Sequence, residues 1–118
     1  MDAAVEKVSD QFSKDVIVTA RCGAIGYWAQ ETGYYASIGA MMIDECDEET
    51  GERTDSHVIT AASIREAIRM ILLGDVAVHR DIAMSIWQGN RDKDAGMIDA
   101  DAADVIVQVA CFGQIVYG

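Results

Sequence analysis

Ser56-His57-Val58-Ile59-Thr60-Ala61-Ala62-Ser63-Ile64-Arg65-Glu66-Ala67-Ile68-Arg69-Met70-Ile71-Leu72-Leu73-Gly74 changes its hydrophobic period at Thr60. Before that residue, Ser56 to Ile59 has the pattern of a short strand. After it, Ile64, Ala67, Ile68, Ile71 and Leu72 recur at three- and four-residue steps and share one helical face, with Arg65, Glu66 and Arg69 on the other. Thr60 is a suitable N-cap, because its hydroxyl can accept from a backbone N–H of the first turn, and Gly74 is a suitable stop. A strand passing straight into an amphipathic helix predicts an α+β class: a small antiparallel sheet packed against about four helices.

Working outward, the upstream segments supply the rest of the sheet. Tyr27-Trp28-Ala29-Gln30 and Tyr34-Tyr35-Ala36-Ser37-Ile38 are aromatic and poor in helix formers, with Gly33 between them, and Ile38 to Ile43 is compact and apolar. The acidic run Asp44-Glu45-Cys46-Asp47-Glu48-Glu49-Thr50-Gly51-Glu52 then predicts a hairpin with a charged tip, so that residues 34–59 form most of the sheet. From Ala3 to Thr19, apolar residues at helical spacing predict an amphipathic helix that continues to Arg21 and stops at Gly23. Downstream, a shorter helix is expected from His79 or Arg80 to Gln88, with Ile82, Ile86 and Trp87 turned inward. Asp99 or Asp101 can cap a last helix running to Phe112, where Gly113 closes it. The tail Gln114-Ile115-Val116-Tyr117-Gly118 is too apolar to hang free and should dock as an edge strand or pack under the core. Ile64, Ile68, Ile71, Ile106 and Val109 are the expected core.

Length and composition set the class. A chain of 118 residues with 51% hydrophobic side chains, no Pro and no low-complexity tract reads as one folded domain over 1–118. No stretch reaches the ~20 apolar residues of a membrane span. Residues Met1 to Lys7 carry acids where an export signal has its basic region, so a cytoplasmic location is expected. Three cysteines, Cys22, Cys46 and Cys111, do not resemble a disulfide framework. With 20 acidic against 9 basic residues, the formal charge is −11, which disfavours direct contact with nucleic acid or anionic lipid and favours basic protein surfaces. Solubility alone is a sufficient reason for acidity, and the two readings stand side by side.

No catalytic residue, metal ligand or cofactor motif emerges, and no enzyme is expected. His57 and His79 lack a neighbouring ligand in a zinc-like spacing and read as surface or capping residues. Cys22 and Cys111 read as buried structural thiols, and a Cys46 thiolate would be repelled by its acidic neighbours. Asp99-Ala100-Asp101-Ala102-Ala103-Asp104 lacks the glycine and closing glutamate of a calcium loop, so helix capping explains it better. Gly23-Ala24-Ile25-Gly26 lacks the Gly-Lys-Ser/Thr of a phosphate loop.

Two features point to binding. Four aromatic rings, Tyr27, Trp28, Tyr34 and Tyr35, fall within nine residues, and side chains on a strand alternate between faces, so some ring surface should stay accessible. Trp28, Tyr34 and Tyr35 are the expected partner-binding anchors, with cross-strand packing as the alternative. The second feature is the set of six carboxylates Asp44, Glu45, Asp47, Glu48, Glu49 and Glu52, which a projecting tip could present like spaced phosphates and which a solvated turn equally explains.

The segments Gly23-Ala24-Ile25-Gly26-Tyr27-Trp28-Ala29, Thr60 to Gly74, Asp99 to Gln108, Cys111-Phe112-Gly113 and Val116-Tyr117-Gly118 together resemble a family of small acidic proteins encoded by bacteriophages and prophages, which carries no assigned activity. The similarity covers the chain from about Asp15 onward. Members often have two adjacent glycines before the aromatic pair, where this chain has Gly23-Ala24. The resemblance implies a mobile-element origin and action inside a bacterial cell, and it transfers no functional residue. Joined to the charge, it makes the leading expectation an inhibitor or modulator that occupies a host nucleic-acid-handling protein as a DNA mimic, of the anti-CRISPR or another anti-defence type. The alternative is an assembly accessory that forms a homo-oligomer through an aromatic face.

Overall fold

The computed structural model describes residues 7–118. Strands β1 (Ala29–Tyr35), β2 (Ala40–Cys46) and β3 (Arg53–Thr60) form one antiparallel sheet in the order β1-β2-β3. Helices α1 (Asp10–Thr19), α2 (Ala61–Leu72), α3 (Arg80–Asp92) and α4 (Ala100–Phe112) pack with it into one hydrophobic core. The α+β architecture expected from the sequence is therefore present, with the sheet reaching back to Ala29.

Helix α2 is the element the sequence defines best. Thr60 Oγ1 accepts from the Ser63 N–H at 3.1 Å and Ser63 Oγ accepts from the Thr60 N–H at 2.8 Å, a reciprocal capping box. Ile64, Ala67, Ile68 and Ile71 are buried on the expected face. Helix α1 differs from expectation at its start. Residues before Lys7, including the expected start at Ala3, lie outside those described. The helix begins at Asp10 because the Ser9 hydroxyl takes the Phe12 N–H, an N-cap that the apolar spacing from Ala4 onward had obscured. At its other end the chain passes through a π-helical turn, Ala20–Ala24, which Gly23 releases with a φ of 98°.

The turns account for the hairpins. Gly39 closes the β1–β2 connection at φ 63°, and the aliphatic stem of Lys14 packs where any side chain at that position would have to go. At the β2–β3 tip, Asp47 Oδ1 accepts the N–H groups of Glu49 and Thr50, both at 2.9 Å, so the acidic run turns through an Asx-type bend. Helix α4 is nearly apolar all round and lies inside, with Ala102, Ala103 and Val105 to Val109 buried against α1, α2, α3 and the π-helical turn. Asp99 caps it by accepting the Ala102 N–H at 2.8 Å. The tail 114–118 is not a strand. It is tied to α4 by the Gln108 side chain.

Candidate functional site

A buried amide on α4 organises the site. Gln108 lies one turn after Asp104 on α4 and is fully buried. Its Oε1 accepts the N–H groups of Val116 and Tyr117 at 2.8 and 2.7 Å. Its Nε2 donates to the Tyr117 carbonyl at 3.1 Å and to Asp104 Oδ1 at 2.9 Å. The tail thus folds back over α4, and the Tyr117 ring stacks on Trp28 with centroids 5.1 Å apart and planes within 10°.

Asp104 gathers the aromatic segment. It accepts from Trp28 Nε1 at 2.8 Å and from the Tyr27 hydroxyl at 2.5 Å. Burial of the Tyr27 hydroxyl, followed by its bond to Asp104, pushes the phenol up to about 12. Across the tail, Tyr117 donates to Glu45 Oε1 at 2.6 Å, and His57 Nε2 lies 2.7 Å from Glu45 Oε2. Desolvation works to raise the Glu45 carboxyl, but these two partners outweigh it and hold the group below the usual carboxylate range. The bond to Glu45, with burial second, raises the Tyr117 phenol to about 12. The His57 ring also meets Phe112 edge-on at 5.2 Å. The segments around Tyr27, Gln108, Phe112 and Tyr117 therefore converge in space.

Two adjoining concavities open over this network. One, of about 300 Å³, is lined by Tyr27, Asp47, Glu48, Thr54 and Tyr117. The other, of about 700 Å³, is lined by Tyr27, Glu48, Asp101, Asp104, Ile115 and Tyr117 among others. Glu48 stands on the wall they share. Glu48 from the β2–β3 tip thus shares one concavity with Asp101 and Asp104 from the first turns of α4, more than 50 residues away in the sequence, together with Tyr27 and Tyr117.

Several expected anchors are placed elsewhere. Trp28 is 1% exposed and belongs to the core, because its indole N–H satisfies Asp104 while its ring packs on Tyr117 and Phe112. Glu45 is 8% exposed and engaged by Tyr117 and His57, so it does not project from the tip. Asp44 is half-buried, taking the Ser56 hydroxyl at 2.6 Å and lying 3.6 Å from Arg53. Tyr34 lies half-buried beneath the Arg21 guanidinium, 3.6 Å from its ring centre, where Glu31 also holds the arginine. Tyr35 is exposed but pairs with Ala40, at the end of β2 opposite Cys46 and the tip, roughly 20 Å away along the strand. Of the nine expected residues, Asp47, Glu48, Glu49 and Glu52 are exposed at the tip, while Trp28, whose carbonyl accepts the Cys46 N–H at 2.8 Å, is buried beneath Tyr117 and presents no surface beside them.

The aromatic floor comes instead from Tyr27 and Tyr117, and its opposite rim from Asp101 and Asp104, with Gln108 as the organiser. The usable signal was Gln108 itself: an amide four residues after Asp104 on an apolar helix face requires partners, and the tail backbone supplies them. His79 caps α3 by accepting the Asp81 N–H at 3.2 Å, whereas His57, expected at the surface, is half-buried on Glu45. Cys22, expected to be buried, is exposed near a helix end and donates to the Val18 carbonyl. Burial pushes the Cys111 thiol up to about 12, so it is held protonated. Among the described residues, no group of three or more His, Cys, Asp or Glu side chains is arranged to hold a metal ion, and no helix is long and apolar enough to cross a membrane. No protein-family model, curated protein or solved structure matches this chain.

Proposed function

We propose that this protein is a binding protein that uses its acidic concave face to occupy a basic surface on a nucleic-acid-handling protein, in place of nucleic acid. The observation that carries this reading is that Glu48 of the β2–β3 tip lines one aromatic-floored depression with Asp101 and Asp104 of α4, while Asp47 lines the depression beside it. A single acidic loop is adequately explained by solubility. Carboxylates brought from two distant segments onto facing rims make a directional field, which attracts Lys and Arg and raises association rates. Tyr27, half-exposed at the centre, supplies apolar contact area of the kind that anchors interfaces. The setting consistent with this role is the inside of a bacterial cell, with the protein supplied by a phage or prophage to modulate a host nuclease, CRISPR effector, repair enzyme or polymerase. The partner recognises charge and shape, so no cofactor, metal or catalytic group takes part.

The test is competition. Basic DNA-binding proteins captured from bacterial lysate on the immobilised chain at low salt are eluted, identified and purified, and their binding to duplex DNA is measured with and without this protein. The reading expects mutual displacement and loss of capture as salt rises. A partner that binds DNA and this protein together, with no dependence on salt, would overturn it.

A further inference from the structure

Two arginines of this chain are held in the same setting, an aromatic ring with a carboxylate beside it. The Arg21 guanidinium lies 3.6 Å from the centre of the Tyr34 ring and pairs with Glu31. The Arg91 guanidinium lies 4.7 Å from the centre of the Trp87 ring and meets Asp92 at 3.0 Å. The larger concavity offers a third such setting. Tyr27, 37% exposed, lines it together with Glu48 and Asp101. Among the described residues, no Lys or Arg lines this concavity or the one beside it. A cation placed there has to come from another molecule.

The ring is fixed and its hydroxyl is already used. Tyr27 donates to Asp104 Oδ2 and accepts from Gln108 Nε2 at 3.3 Å. Asp104 is engaged in the same way, its Oδ1 taking Trp28 Nε1 and Gln108 Nε2. The part of Tyr27 left to meet a ligand is therefore its ring. Glu48 and Asp101 differ from Asp104, because among the described residues neither makes a side-chain hydrogen bond or ion pair. Asp101 lies close enough for its charge to help raise the Tyr27 phenol. Ile82 and Val105 add apolar wall.

We propose, resting on the reading of this face as the dock for a basic protein, that the concavity takes one arginine side chain of that partner, its guanidinium stacked on Tyr27 and paired with Asp101 and Glu48. The chemistry prefers arginine to lysine. A guanidinium is planar, lies flat on an aromatic ring, keeps its N–H donors in its own plane for carboxylates at the edge, and is more weakly hydrated than an ammonium. An ammonium is a compact, strongly hydrated charge that gains from the carboxylates but less from the ring. The aliphatic stem of the arginine packs against Ile82 and Val105. A basic surface carrying lysine alone is drawn to this face by charge and is held there less well.

Titration of the isotope-labelled full chain with acetyl-Gly-Arg-Gly-amide and with acetyl-Gly-Lys-Gly-amide, followed by NMR, tests this, because the two probes carry the same charge. The arginine probe is expected to bind about threefold tighter or more, with its largest shifts at Tyr27, Asp101 and Tyr117. Tyr27→Leu should bring the arginine probe down to the affinity of the lysine probe. Asp101→Asn should weaken the arginine probe about threefold to tenfold, and Asp75→Asn, remote from the concavity, should leave it unchanged. The comparison of the two probes needs no substitution, so it decides even where a variant fails to fold. Equal affinities, no binding of the arginine probe at about 10 mM, or shifts scattered over the acidic surface would overturn the arginine site. None of these outcomes depends on displacing DNA. Equal affinities with DNA displacement intact would leave the concave face as a dock for positive charge in general, whereas a preference for arginine without DNA displacement would keep the site and remove the mimicry.

Discussion

The side-chain amide of Gln108 pairs with both the N–H and the carbonyl of Tyr117, at 2.7 and 3.1 Å, as a residue of a neighbouring strand would. One buried side chain thereby replaces a strand in holding the tail, and the tail in turn brings Tyr117 onto Trp28 and Glu45. The concave face depends on this link, because Tyr117 lines both of its depressions.

Replacing Gln108 by Ala should therefore do more than leave a small cavity. It removes the acceptor of the Val116 and Tyr117 N–H groups and a donor from Asp104, at a cost of about 1 to 3 kcal/mol, the cost of one buried group left without a partner, since Val116 is 52% exposed and its N–H can turn to water. Gln108→Glu keeps the shape and the acceptor but loses the amide donors and adds a charge beside Asp104, so it should be no better. Chemical unfolding measures both. Equal stability of Gln108→Ala and the parent chain would show that the tail does not depend on this side chain.

Ile68 tests the other half of the core. It is fully buried on the inner face of α2, and Ile68→Ala should cost about 2 to 5 kcal/mol through lost burial and the cavity left behind. Arg65→Ala, on the outer side of the same helix, should change stability by less than about 0.5 kcal/mol. The contrast between the two unfolding midpoints checks the face assignment.

How far the sequence led follows from these residues. Thr60, Ile64, Ile68 and Gly74 lie in one local pattern whose period and caps are read without knowing the rest of the fold, and α2 forms as that pattern predicts. The acidic tip was legible for the same reason, because Asp47 shapes its own turn. The site was only half legible. Trp28 looked like an exposed ring because its aromatic neighbours suggested a strand surface. Its burial follows from Asp104, 76 residues on, which satisfies the indole N–H and lets the ring enter the core. Asp104 itself read as part of a capping run, although only Asp99 of that run performs the capping. Long-range polar pairs of this kind leave no periodic trace, and here they decide which rings and which carboxylates share a surface.

The titrating groups around Tyr117 make stability depend on pH at both extremes. Glu45 is held below its ordinary value of 4.5, so its contribution is full above that value and is lost as pH falls through the lowered one. Tyr27 and Tyr117 are raised from 10.0 to about 12. Their contribution is full below pH 10 and is lost as pH rises toward 12, because the unfolded chain gives up those protons first. Unfolding free energy should therefore fall on the acid side in a way that Glu45→Gln flattens, and on the alkaline side in a way that Tyr117→Phe flattens. Denaturant titrations at a series of pH values, with phenolate absorbance followed in the alkaline arm, measure both.

The concave face makes the most direct prediction about partners. Asp47 is best left intact, because its carboxylate holds the tip turn through the Glu49 and Thr50 N–H groups. Glu48, Glu49 and Glu52 are exposed and shape nothing comparable, so reversing all three to Lys alters the field and leaves the fold in place. Association with a basic DNA-binding partner should then slow by about tenfold to a hundredfold at low salt, and the difference should shrink as salt is added. Reversing Glu66, Asp75 and Asp92 changes the net charge by the same amount on surfaces remote from the depression. If overall acidity were the cause, the two triple variants would behave alike. If the facing rims are the cause, the tip variant alone should lose most of its rate. Tyr27→Ala separates a further contribution: its ring lies at the centre, where contact is made after encounter, so the loss should appear as faster dissociation with little change in association. Stopped-flow association and surface-based dissociation measurements distinguish these outcomes, and equal slowing by both charge-reversed variants would assign the association to overall acidity and not to the facing rims.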